Sequence, residues 1–218
     1  EDLHTGGLLR LSPNQDKHRW HRYQHFYAFV LYSFLTLTWV TVVDLRRFFT
    51  RSIFNYRIPR VSVGDWVVLG AAKAIYFGYM IVVPSHFHPF THVVVAFVGI
   101  HVLQGLTLSL VFQLAHAMEE NSFPNPNGEP RAIEKEWAVH EVEATANFAI
   151  GNRLATWYLG GLNHQIEHHL FPRVCHIHYP AISKIVQATC EELSVSYVNF
   201  PTISSAVISH YRYLRALG

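Results

Sequence analysis

Residues 160–172, GGLNHQIEHHLFP, hold the densest set of groups able to bind a transition metal. Asn163 is suited to be a helix N-cap and Pro172 limits continuation, so the spacing predicts about two turns of helix between them. On such a helix Gln165, His168 and His169 stand at i, i+3 and i+4 and project from one face toward a common point. Imidazole nitrogens at that spacing suit iron, zinc or copper. Adjacent histidines can serve neighbouring metals of a pair, or one metal together with a distant ligand. Glu167 and Asn163 are placed to orient the rings from behind.

The chain has sixteen histidines, about as many as its seventeen lysines and arginines together, so most of them need a plainer account than ligation. His140 and Asn147 are seven apart and would share a helix face, which makes His140 a further candidate ligand. His18, His21 and His25 repeat at three and four and read as a polar face at a membrane interface. His92 and His101 fall inside an apolar stretch, where histidine is a functional candidate by default, although helix-to-helix hydrogen bonding accounts for it as well. His86 and His88 lie in a turn and carry no role.

The elements that must position these groups are mostly apolar. The 218 residues are 50% hydrophobic and only 15% charged, against about a quarter charged in an ordinary soluble domain. Net charge is +2 with no basic block, so nucleic acid is not a partner and lipid is. Three apolar stretches, Tyr23 to Val43, Trp66 to Val83 and Phe90 to Ala115, approach or exceed the roughly 17 residues a spanning helix needs. The second and third, joined by PSHFHP, read as a transmembrane hairpin. Lys73 inside the second must snorkel or face protein. The first reads as an interfacial or re-entrant helix.

Arg46, Arg47, Arg51, Arg57 and Arg60 mark the segment from Asp44 to Arg60 as cytoplasmic, which puts everything after Ala115 on that side too. Ser122 to Pro130 reads as a mobile loop. Two amphipathic helices follow Pro180 and Pro201, with Ile182, Ile185, Val186 and Thr189 on one face and Ile203, Val207, Tyr211 and Leu214 on the other. The expected fold is all-α: an integral, multi-pass membrane part over residues 23–115 and a cytoplasmic helical cap over 116–218. Cys175 and Cys190 read as reduced core thiols. The chain starts at Glu1, which suggests a piece of a longer protein, and residues 1–22 carry no secretory signal.

GGLNHQIEHHLFP, with WAVHEVEATANFA before it and CHIHYPAIS after it, resembles the third histidine box of front-end fatty acyl desaturases, whose box reads Q-x-x-H-H. HRYQHFYAFVLY, FQLAHAMEE, SHYRYLRALG and the opening EDLHTG are similar to that family as well. The resemblance implies that His168 and His169 are iron ligands, that Gln165 stands where other desaturases have histidine, and that His116 is the isolated ligand outside the boxes. It also implies that His164 packs or binds water. Two features depart from the family: no stretch of the chain is identified as its first or second box, of H-x-x-x-H and H-x-x-H-H type, and Glu141 follows His140 where glutamine is usual. The chain is thus expected to be the C-terminal portion of one desaturase domain, inactive by itself.

What the family does follows from chemistry that side chains lack. Hydrogen removal from an unactivated methylene needs an oxidant made from O2 on reduced metal. The resemblance implies two non-haem iron ions, O2 as co-substrate, and ferredoxin or cytochrome b5 as electron donor. It implies an acyl-CoA or acyl-lipid substrate, bent in an apolar tunnel between hairpin and cap so that one pair of carbons meets the metal. A related acyl hydroxylase or sphingolipid-type desaturase would share these features. A non-enzymatic protein holding haem through His92 and His101, or zinc through the box, is the reading from another class.

Overall fold

The structure is a computed structural model and describes residues 7–53, 56–57, 60–121 and 136–218. EDLHTG and the loop expected at 122–130 lie outside these. The chain is mostly helical, and among the described residues strands occur only as two-residue ladders. It forms two compact units, residues 30–109 and residues 1–29 with 110–218.

The first expected stretch is a bent pair, α1 (Arg19–Ser33) and α2 (Leu35–Thr50), angled by 53° at the break. A short antiparallel hairpin, β1 (Ser52–Ile53) with β2 (Tyr56–Arg57), follows. Next come α3 (Val63–Ser85, 23 residues) and α4 (Phe90–His116, 27 residues), the two unbroken described helices apolar and long enough to cross a membrane. At 1.5 Å per residue both exceed the roughly 30 Å hydrocarbon core. Helix α3 starts three residues earlier than its apolar run because Ser62 and Asp65 cap each other's backbone N–H.

Within residues 30–109, Lys73 faces protein rather than snorkelling. Its ammonium donates to Asp44 Oδ2 at 2.7 Å and to the Val40 carbonyl at 2.6 Å. His101 is buried, with Nε2 2.7 Å from Tyr76 Oη and Nδ1 3.0 Å from Thr36 Oγ1. This is the hydrogen-bonding role; with both ring nitrogens engaged, His101 is a poor haem ligand. Gly105 lets α4 pack against backbone, since a Cβ there would stand 2.5 Å from the Ser33 carbonyl oxygen.

The other unit contains α5 (Trp137–Ala144), β3 (Asn147–Phe148), α6 (Arg153–Tyr158), α7 (Gln165–Leu170), α8 (Tyr179–Glu192), β4 (Asn199–Phe200) and α9 (Ile203–Leu217). Strands β3 and β4 pair in parallel. One apolar cluster gathers Leu114, Met118, Phe148, Ala149 and Ala206, and a second gathers Val142, Ile166, Val186 and Cys190. The inward faces of the last two helices differ from those expected. Helix α8 buries Tyr179, Ser183, Val186 and Cys190 and leaves Ile185 and Thr189 out. Helix α9 buries Ala206, Ser209, His210, Tyr213, Leu214 and Leu217 and leaves Ile203 exposed. The periodicity is right but the face is rotated, because small and hydrogen-bonded polar residues fill these tight contacts: His210 Nδ1 bonds the Ala117 carbonyl at 2.7 Å, and Ser209 donates to Glu120.

His21 and His25 are buried, not an interfacial face. The His21 ring accepts from the His18 N–H and lies 3.0 Å from the Gly7 carbonyl, so local capping draws it inward. Cys190 is a core thiol as expected, whereas Cys175 is exposed. The early and late parts of the chain are clasped together: Gln24 Nε2 donates to the Leu214 carbonyl, Arg10 Nη1 to that of Leu217, and Tyr213 Oη to that of Leu11.

Candidate metal centre

Helix α7 is only six residues long, and its start is held from a distance. His164, not Asn163, precedes it, and no side chain of the local turn caps it. Instead Asn147 on β3 reaches across, its Oδ1 accepting from the Ile166 N–H at 2.9 Å. Asn163 is buried in the turn, donating to Thr156 Oγ1 at 3.0 Å and to the Ala149 carbonyl. That turn is built by Gly160 and Gly161, with φ of +58° and +79°. At Gly161 a Cβ would also fall 2.8 Å from that of His176.

Three groups converge on one point. Gln165 Nε2 lies 3.3 Å from His116 Nε2 and 3.5 Å from His169 Nε2, and the two imidazole centroids are 5.1 Å apart at 67°. His116 is brought there by the end of α4, where the Ala115 carbonyl accepts from the Ala146 N–H and from Asn121 Nδ2. The His168 ring is 5.8 Å from that of His169, nearly perpendicular to it, and its Nδ1 meets Tyr179 Oη at 3.2 Å. The expected single convergence of Gln165, His168 and His169 is therefore divided: Gln165 and His169 join His116, while His168 is turned to Tyr179.

The His169 ring is oriented by Glu141, not by Glu167 as the spacing suggested. Glu141 Oε2 is 2.8 Å from His169 Nδ1. Glu167 does not touch the rings; it is fully buried and accepts from Asn147 Nδ2 at 2.8 Å and Tyr197 Oη at 3.0 Å. No local spacing signals either partnership, because 28 residues separate Glu141 from His169 and 30 separate Glu167 from Tyr197. His140 lies half-buried on α5 and makes no side-chain hydrogen bond among the described residues. It shares no helix face with Asn147, since α5 ends at Ala144 and Thr145 takes an extended conformation.

Burial shapes the titration of this region. His164 is 1% exposed, and burial pushes its imidazole down to about 4. Neither of its ring nitrogens has a hydrogen-bond partner among the described residues. Burial also raises the Glu167 carboxyl against the opposing hydrogen bonds of Asn147 and Tyr197, and lowers His168, with the neighbouring His169 adding to that.

The family model for fatty acid desaturases matches residues 1–201, and the chain belongs to that family. Relatives include the sn-1 linoleoyl-lipid 6-desaturase of Synechocystis, 35% identical over all of this chain and 61% of its own length. The acyl-lipid (8-3)-desaturase of Physcomitrium patens is 36% identical over 97% of this chain and 44% of its own length. The Delta(5) fatty acid desaturase A of Dictyostelium discoideum is 32% identical over 95% of this chain and 46% of its own length. The chain thus spans about two-fifths to three-fifths of these relatives. No solved structure matches it.

The family implies iron, and the donor set fits part of an iron site. The Gln165 amide stands where a cation would satisfy two facing imidazole nitrogens, and its Oε1 is buried without a partner among the described residues. Rotating that amide exchanges its oxygen for its nitrogen and offers a third lone pair. No group of three His, Cys, Asp or Glu able to hold a metal ion occurs among the described residues. A complete pair of ions therefore needs further donors.

Proposed function

We propose that this chain is the metal-binding C-terminal half of a front-end acyl desaturase domain, in which His116, His169 and His168 hold iron with Gln165 beside them. The observation that carries the reading is the convergence of the His116 and His169 nitrogens on the buried Gln165 amide. When bound, two irons supply the O2-derived oxidising power that removing hydrogen from an unactivated methylene needs, with electrons delivered by ferredoxin or cytochrome b5.

The protein's share is placement. Asn147 and Glu167 lock α7, Glu141 and Tyr179 aim the imidazoles, and the apolar cluster of Val142, Ile166, Val186 and Cys190 keeps water from one side. Helices α3 and α4 anchor the protein in the bilayer as a hairpin. The arginines from Arg46 to Arg60 keep that end, and the metal donors, on the cytoplasmic side. The substrate is a fatty acyl chain on a lipid or coenzyme A, in keeping with relatives named as acyl-lipid and linoleoyl-lipid desaturases.

The test is expression of the full-length protein, with and without H168A/H169A, in a host whose fatty acids are profiled by mass spectrometry. New double bonds on the carboxyl side of existing ones, lost in the double variant, are expected. A hydroxylated product, or no change in any acyl pool fed, rejects the assignment.

A further inference from the structure

The hydrogen bond from His169 Nδ1 to Glu141 Oε2, 2.8 Å long, joins α7 to α5 across 28 residues, and it has only one direction. A carboxylate accepts and never donates, so the proton of a neutral imidazole must sit on Nδ1. The lone pair is then on Nε2, the atom 3.5 Å from the Gln165 amide and on the side shared with His116. His168 offers the contrast. Its Nδ1 is 3.2 Å from Tyr179 Oη, and a phenol can donate or accept, so this contact leaves the tautomer of His168 open.

We propose that Glu141 is a positioning residue that fixes His169 in the Nδ1–H tautomer, making it the donor that is ready for metal before metal arrives. This rests on the metal-centre reading and deepens it: of the two adjacent imidazoles, one is preset by a carboxylate and the other is adaptable. Glu141 is only partly exposed, and its helix is held by Val142 in the apolar cluster that also contains Ile166 of α7, so the acceptor and the ring it aims share one rigid support. A carboxylate behind a ligating imidazole also strengthens the opposite nitrogen as a donor.

Two measurements on the full-length protein in detergent decide it. In metal-free protein labelled with 15N-histidine, long-range 15N–1H correlations are assigned to His169 by its loss in H169N. These are expected to show the Nδ1–H form, and the Nε2–H form overturns the proposal without any variant at Glu141. In competition titrations with a ferrous chelator, Glu141→Gln is expected to weaken uptake of one iron about 10- to 100-fold, with Glu141→Asp recovering part of it. Glutamine has nearly the same shape but presents either a donor or an acceptor, so a fold held only by packing would not respond. Equal affinity in E141Q and wild type overturns the role of Glu141 while leaving the metal centre standing. Wild-type protein that takes up no iron overturns both.

Discussion

Glu167 offers the sharpest test of how the candidate centre is held. It is 0% exposed and accepts from Asn147 Nδ2 and Tyr197 Oη, while Asn147 Oδ1 takes the Ile166 N–H. Glu167→Ala removes the carboxylate that two buried donors share. Asn147 Nδ2 keeps its bond to Tyr197 Oη at 2.7 Å, so it is not wholly orphaned, but the phenol proton loses its acceptor. Each loss is worth about 1–3 kcal/mol, and the vacated volume adds roughly 1 kcal/mol. Relief from carrying a buried charge offsets part of this. The expected net is a loss of about 3–4 kcal/mol, which for a chain of this size lowers Tm by about 6–16 °C. Glu167→Gln keeps the shape and one acceptor and removes the charge, so it should stay within about 1–2 kcal/mol of wild type. Thermal unfolding in detergent, followed by tyrosine and tryptophan fluorescence, measures both. Equal stability in the alanine variant and wild type would show that α7 is not held through Asn147 and Tyr197.

Gly105→Ala places a methyl 2.5 Å from the Ser33 carbonyl oxygen and should cost about 1–3 kcal/mol, whereas Gly99→Ala meets nothing within 4 Å and should be neutral or stabilising; chemical unfolding of the two compares them. Acid should weaken the unit containing α7 and α9. His164 and His210 are each held down to about 4 by burial, so below the ordinary histidine value of about 6.5 the unfolded chain takes up protons that the folded one refuses. Stability is therefore full above about pH 6.5 and declines as pH falls toward 4. Unfolding midpoints across that window check it, and a flat profile for His164→Phe/His210→Phe is the expected control.

The two long apolar helices were legible because apolar length is a local property: Phe90–His116 matches its sequence run to within a residue at the end. Gln165, His168 and His169 were legible as candidate groups at helical spacing, on a helix that does form. What the spacing did not carry was direction. Tyr179 draws His168 away, Glu141 aims His169, and Asn147 replaces Asn163 as the cap, all through contacts made by distant residues. The faces of α8 and α9 were misjudged for a related reason. Their buried positions include Ser183, bonded within its own helix, and Ser209 and His210, bonded to Glu120 and the Ala117 carbonyl rather than to water, so hydrophobic periodicity pointed to the neighbouring stripe.

Order of synthesis gives the clasp between the two ends of the described chain a further meaning. Arg10, Leu11 and Gln24 leave the ribosome long before Tyr213, Leu214 and Leu217, which supply or receive their hydrogen bonds. In the same way the imidazoles at 168 and 169 emerge ahead of Tyr179, and Glu167 ahead of Tyr197. A nascent chain thus holds His168 without its Tyr179 partner, and Glu167 without its Tyr197 partner, until those later residues are made.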